Sequence, residues 1–140
     1  MALTRGSGGT GGTRGLAAAA AVGTVAVGLV APRLLGDWVG GVLYTVLLWT
    51  LVLLAAPRSR PVVAAGVALV VSWAVEFSQL SPYPAELARR SVVARLVLGS
   101  TFDASDLPWY AVGAMVAFLL HTCWVRAQLT SRRTEFGRSR

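Results

Sequence analysis

The chain has no lysine, a single cysteine, a single histidine and only six acidic residues in 140. Without a second cysteine no intramolecular disulfide can form and no cysteine metal cluster can be built. His121 has no cysteine or second histidine nearby, which makes a poor metal site, so it reads as an interfacial side chain. Cys123 is then a small apolar residue near a helix end. No Ser, His and acid set, no glycine-rich phosphate loop and no HExxH run occurs, so no cofactor is expected and the protein is read as non-enzymatic. The missing lysine fits a GC-rich coding bias and implies no mechanism.

Charge is scarce as well. With 55% hydrophobic residues, 14% charged residues and a mean hydropathy of +0.63, the chain is too apolar for an ordinary soluble fold. It is an integral membrane protein of one domain. Four apolar segments are predicted as membrane helices: about Leu16 to Val30, extending toward Leu35 past Pro32, then Trp38 to Ala56, Val62 to Leu80 and Leu107 to Trp124. The fold class is all-α, a polytopic protein of four transmembrane helices with a structured outer loop between the third and the fourth.

The net charge of +7 could suggest nucleic acid, but its placement argues otherwise. Arg5 and Arg14 precede the first segment, Arg58 and Arg60 join the second to the third, and Arg126, Arg132, Arg133, Arg138 and Arg140 follow the fourth. These are alternate ends of a serpentine chain, which places both termini in the cytoplasm and excludes a nucleic-acid partner. The alanine-rich first segment is read as an uncleaved helix rather than a secretory signal, because it keeps the termini on one side. Residues 1–14, rich in glycine and threonine, are expected to be a disordered cytoplasmic tail, residues 15–126 the helical domain and 127–140 a basic cytoplasmic tail. Ala20, Thr24 and Gly28 lie one above another and form a face suited to close helix packing. Trp73, Phe77, Trp109, Tyr110 and Trp124 fall at the two interfaces, as aromatic belts do.

One stretch departs from this plain scheme. Glu76 and Gln79 share a face near the end of the third segment with Ser72 a turn below, and Asp103 and Asp106 open the fourth. Carboxylates so close to lipid are costly and need a reason. Glu76 at a helix C-terminus also opposes the helix dipole, whereas an Asp at a helix start is a favoured cap. Between them, Ser81 to Thr101 is longer than the other connections and is expected to hold a short re-entrant or lid-like helix within Ala85 to Leu98. Glu86 stands at ion-pair spacing from Arg89 and Arg90. Arg95 points elsewhere on the wheel. With Glu86, Asp103 and Asp106 balancing Arg89, Arg90 and Arg95, the loop is neutral. The seven residues Glu76, Gln79, Arg89, Arg90, Arg95, Asp103 and Asp106 are therefore the candidate site, either a structural clasp or a pocket for an anion such as a phosphate headgroup. The carboxylates are too scattered to predict a Mg²⁺ site.

The run Val75-Glu76-Phe77-Ser78-Gln79-Leu80, an arginine at 89 or 90, Arg95-Leu96-Val97-Leu98-Gly99, Phe102-Asp103-Ala104-Ser105-Asp106-Leu107 and Tyr110-Ala111-Val112-Gly113 resembles a family of small bacterial integral membrane proteins of unknown function. That family is similar in layout to the VanZ-like proteins linked to glycopeptide resistance, with Glu-x-x-Gln ending one helix and an Asp-led motif opening the next. The chain departs from the VanZ-like pattern at Tyr110, where those proteins usually carry Asn. The resemblance implies a four-helix protein of the bacterial inner membrane in which Glu76, Gln79, Asp103 and Asp106 belong together. The expected function is binding of a lipid headgroup, a wall precursor or an amphiphilic antibiotic at the outer polar cluster. Its partners would be membrane lipids, anionic lipid or a lipid-linked wall precursor among them. A structural or assembly role, with the cluster as a helix clasp, is the alternative, followed by proton or ion transport through Glu76.

Overall fold

The computed structural model describes residues 8–36, 38–99 and 101–138. They form six helices: α1 (Gly8–Leu35), α2 (Trp38–Ala55), α3 (Pro61–Ser78), α4 (Pro82–Arg90), α5 (Val92–Leu98) and α6 (Asp106–Arg138). Four of them, α1, α2, α3 and α6, are long and apolar enough to cross a membrane. The protein is an all-helical polytopic membrane protein, and α4 and α5 make the structured loop.

The ends of the spans follow local chemistry. Gly36 ends α1 with φ of 104°, and its N–H bonds the Pro32 carbonyl at 3.0 Å. Between α2 and α3, the Ser59 N–H and hydroxyl both donate to the Ala56 carbonyl, at 3.0 and 2.9 Å, and Pro61 opens α3 where no N–H is needed. The α2–α3 turn thus shares one end of the bundle with the start of α1, while α4 and α5 cap the other.

Helix α2 is the hub and packs on α1, α3 and α6, with α3 also against α6. Lipid tails are as apolar as leucine, so what draws these helices together is close backbone approach and interhelical hydrogen bonding. The core is correspondingly small and hydroxylic: Ala64, Ala68, Ala117, Thr45, Thr50 and Ser72 are all buried. The Thr45 and Ser72 hydroxyls meet at 3.0 Å between α2 and α3. At the α2–α6 crossing, a Cβ on Gly113 would fall 2.6 Å from the Val42 carbonyl oxygen, so only glycine permits this separation. Large apolar side chains such as Val70, Met115 and Leu119 point outward, as lipid-facing residues should.

Several boundaries differ from expectation. Residues 8–14 are the first turns of α1 rather than a disordered tail, while residues 1–7 lie outside the described residues. Once a long apolar helix is nucleated, extending it by one residue adds a hydrogen bond for little further ordering, which carries it through poor helix formers. In the same way α6 runs on through 127–138, so the basic segment is largely continuous with the last span. The single loop helix is two, because Ser91 adopts extended φ and ψ of −145° and 125° and breaks the run. The small-residue face of α1 is not the tight contact foreseen: Ala20 is exposed, and a Cβ on Gly28 would meet nothing within 4 Å.

A clasp at the capped end

Glu76 lies in the last turn of α3 and is 2% exposed. Its Oε1 accepts the Asp103 N–H at 2.6 Å and its Oε2 accepts the Tyr110 hydroxyl at 2.6 Å. One carboxylate therefore ties the end of α3 both to the segment leading into α6 and to the first turns of α6 itself. Burial of an acid in this position is tolerable because both oxygens are bonded. Tyr110 is buried beside it, with its ring 6.1 Å from that of Tyr44.

The rest of the capped end is stitched by side chains reaching backbone carbonyls. Helix α5 has only seven residues, and its C-terminal carbonyls have no intrahelical partners. Tyr44 of α2 donates to Val97 O at 2.8 Å, and Gln79 donates through Nε2 to Leu98 O at 2.7 Å. Gly99 ends α5 with φ of 66°, and a Cβ there would lie 2.7 Å from Gln79 Nε2. Phe77 stacks on Phe102 at 6.1 Å, and Trp73 Nε1 donates to Leu107 O at 3.3 Å.

The acids at the start of α6 divide their work. Asp103 Oδ1 accepts both the Ser105 N–H at 2.9 Å and the Ser105 hydroxyl at 2.7 Å, forming the turn that starts the helix. Those two bonds, the hydroxyl first, hold its carboxyl below the usual carboxylate range. Asp106 occupies the first turn of α6, its N–H on the Asp103 carbonyl at 3.0 Å.

The seven candidate residues are thus not one cluster. Glu76, Gln79 and Asp103 join the clasp, and Asp106 stands at its edge. Arg89 and Arg90 pair instead with Glu86 on the exposed face of α4, Arg90 through Nε and Nη2 to Oε1 at 3.0 and 2.7 Å. Local i,i+3 and i,i+4 spacing captured them before a more distant acid could. Arg95 makes no ion pair among the described residues; with Arg89, Glu86, Tyr83, Pro82 and Ala88 it lines an open groove of about 650 Å³ between α4 and α5. The sequence reading missed Tyr44 and Tyr110 as clasp members. Tyr110 stands one helical turn past Asp106, and that spacing was the available signal.

The sequence reading of His121 is also corrected. It is 3% exposed, set between the rings of Trp49 and Trp124 at 5.8 and 6.2 Å, because α2 packs on the face of α6 on which it lies. Cys123 is exposed. Among the described residues no three His, Cys, Asp or Glu side chains gather as a metal site.

Fold and clasp together define a class: a four-span membrane protein in which a single buried carboxylate ties α3 to α6 beneath a two-helix cap. The chain belongs to the family described as protein of unknown function DUF2809, whose model matches residues 30–114, from the end of α1 into α6. The matched region contains every residue of the clasp. No curated protein and no solved structure matches the chain.

Proposed function

We propose that the protein is a bacterial cell-envelope protein of the cytoplasmic membrane that binds the anionic headgroup of an amphiphile on its α4–α5 cap. Both termini would be cytoplasmic, following the arginines at the uncapped end, and the cap would face outward. The observation that carries the reading is Arg95, a cation without an ion pair among the described residues, lining the groove beside Arg89. Around it Tyr83, Leu87, Val92 and Leu96 are exposed, a surface suited to lying at the headgroup boundary. The chemistry favours a phosphate-bearing lipid headgroup or a lipid-linked wall precursor, with an amphiphilic antibiotic as the remaining member of the same class. In this reading Glu76 and Asp103 do not touch the ligand but hold the frame beneath the cap.

The test is native mass spectrometry of the full chain with a polyprenyl phosphate. Arg95→Ala should strip the adduct while leaving the protein folded; an adduct retained undiminished sinks the proposal. A second reading, a purely structural or assembly role, is favoured by the complete bonding of Glu76 and predicts no ligand-dependent change at the cap at all. Proton transport is less well supported, since both oxygens of Glu76 are already engaged.

A further inference from the structure

The opposite end of the bundle carries two adjoining cavities that the clasp and the cap groove leave unexplained. The first is a slot of about 300 Å³ between α1, α2 and α6, walled by Leu16, Ala20, Leu53, Leu120, Trp49 and His121. Its wall is mainly apolar, with Thr13 at the end nearest Arg14, and Trp49 Nε1 and His121 Nδ1 are buried beside it without a hydrogen-bond partner among the described residues. The second, of about 590 Å³, is lined by Arg14, Ala56, Pro57, Arg58 and Ser59. The two are consecutive along the same helices: Arg14 stands one turn before Ala17 of the slot wall on α1, and Ala56 follows Leu53 by one turn just past the end of α2. Arg14 and Arg58 are exposed and make no ion pair among the described residues.

A pair of arginines at the membrane boundary immediately above an apolar slot matches one ligand architecture, a phosphate joined to a hydrocarbon chain. We propose that an anionic phospholipid of this leaflet binds here, its phosphate between Arg14 and Arg58 and an acyl chain in the slot against Trp49, Leu53 and Leu120. Positive charge at this end would by itself orient the chain in the membrane, but it does not call for a slot below the arginines. This site is independent of the α4–α5 groove.

The experiment is native mass spectrometry of the full chain with added phosphatidylglycerol, phosphatidylcholine serving as the zwitterionic comparison. Phosphatidylglycerol should be retained under activation that strips phosphatidylcholine. Arg14→Gln with Arg58→Gln should lower that retention by about tenfold or more, as expected for losing charge-assisted hydrogen bonds. Ala20→Trp, at an exposed position on the slot wall, should lower it with both arginines in place, while Arg95→Ala should not. Equal retention of the two lipids, retention unchanged in the double variant, or no effect of Ala20→Trp would overturn the proposal. Displacement of the lipid by millimolar inorganic phosphate would overturn it too, since a free anion site needs no slot, and so would protection of the slot by a second copy of the chain.

Discussion

The Tyr110 hydroxyl donates to Glu76 Oε2 at 2.6 Å, across 34 residues of sequence, in a site where Glu76 is 2% exposed. This bond, with the one from the Asp103 N–H, ties α3 to α6 and to the segment that leads into it. Removing the Tyr110 hydroxyl leaves one carboxylate oxygen buried without a partner. Tyr110→Phe should therefore destabilise the protein by about 1.5–3 kcal/mol, read as a lower thermal midpoint in detergent. Glu76→Ala should cost more than Glu76→Gln. An amide oxygen can still accept the Asp103 N–H, and the amide nitrogen can donate to a Tyr110 hydroxyl turned round to accept. A double-mutant cycle on 76 and 110 should show strong coupling; additive losses would mean that the two residues do not act as one clasp.

Gly113→Ala tests the α2–α6 crossing. The new methyl would sit 2.6 Å from the Val42 carbonyl oxygen and 2.9 Å from Thr45 Cβ, and neither can swing aside. A loss of about 1–3 kcal/mol is expected from overpacking. Gly66→Ala is the control, since nothing lies within 4 Å of a Cβ there. It should be neutral or slightly stabilising, by at most about 1 kcal/mol from helix propensity. Melting curves of the two variants side by side give the answer.

Gly99→Ala should free the end of α5. The residue has φ of 66°, and an added Cβ would meet Gln79 Nε2 at 2.7 Å, where that group donates to Leu98 O. Backbone strain and loss of the Gln79 bond act together, for about 1–3 kcal/mol. Hydrogen exchange should rise over residues 92–99 and stay unchanged in α2. An unaltered exchange pattern would show that Gln79 does not hold the cap.

Asp103 supplies a pH dependence of definite sign. Its carboxyl is held below its ordinary value of 3.8 by the Ser105 hydroxyl and N–H, so its contribution is complete above that value. The contribution is lost as the pH falls through the lowered value. The amide signal of Ser105 followed by NMR should stay constant from neutral pH down to the ordinary carboxylate range and move only at greater acidity. Asp103→Asn should abolish that movement.

The lipid arms of the two proposals cross in one comparison. Arg95→Ala should weaken polyprenyl phosphate retention and spare phosphatidylglycerol, and the Arg14 and Arg58 double variant should do the reverse. A variant set in which both lipids respond alike would indicate a diffuse effect of charge rather than two sites.

Much of this was legible in the chain. The four spans follow from apolar length alone, because a helix crossing lipid must satisfy its backbone internally and cover about 30 Å of hydrocarbon. The Glu86 pairs with Arg89 and Arg90 are local, and helix geometry dictates them. The stripe of Ser72, Glu76 and Gln79 is equally a matter of spacing, and its importance was visible from the cost of burying an acid beside lipid.

What spacing could not reveal was the choice of partner. The sequence grouped Glu76, Asp103 and the loop arginines in one neutral cluster, and the return of the chain through α4 and α5 put the Asp103 N–H, and not an arginine, at the carboxylate. Tyr110 and His121 had the composition of interfacial residues, and only the packing of α2 and α3 against α6 buried them. The sequence by itself determined a four-span helical membrane protein with a polar break near Glu76, because hydropathy and period are properties of contiguous residues. The tertiary structure decided that the break is a clasp with its arginines turned away, because hydrogen bonds between residues 34 apart depend on where three helices cross.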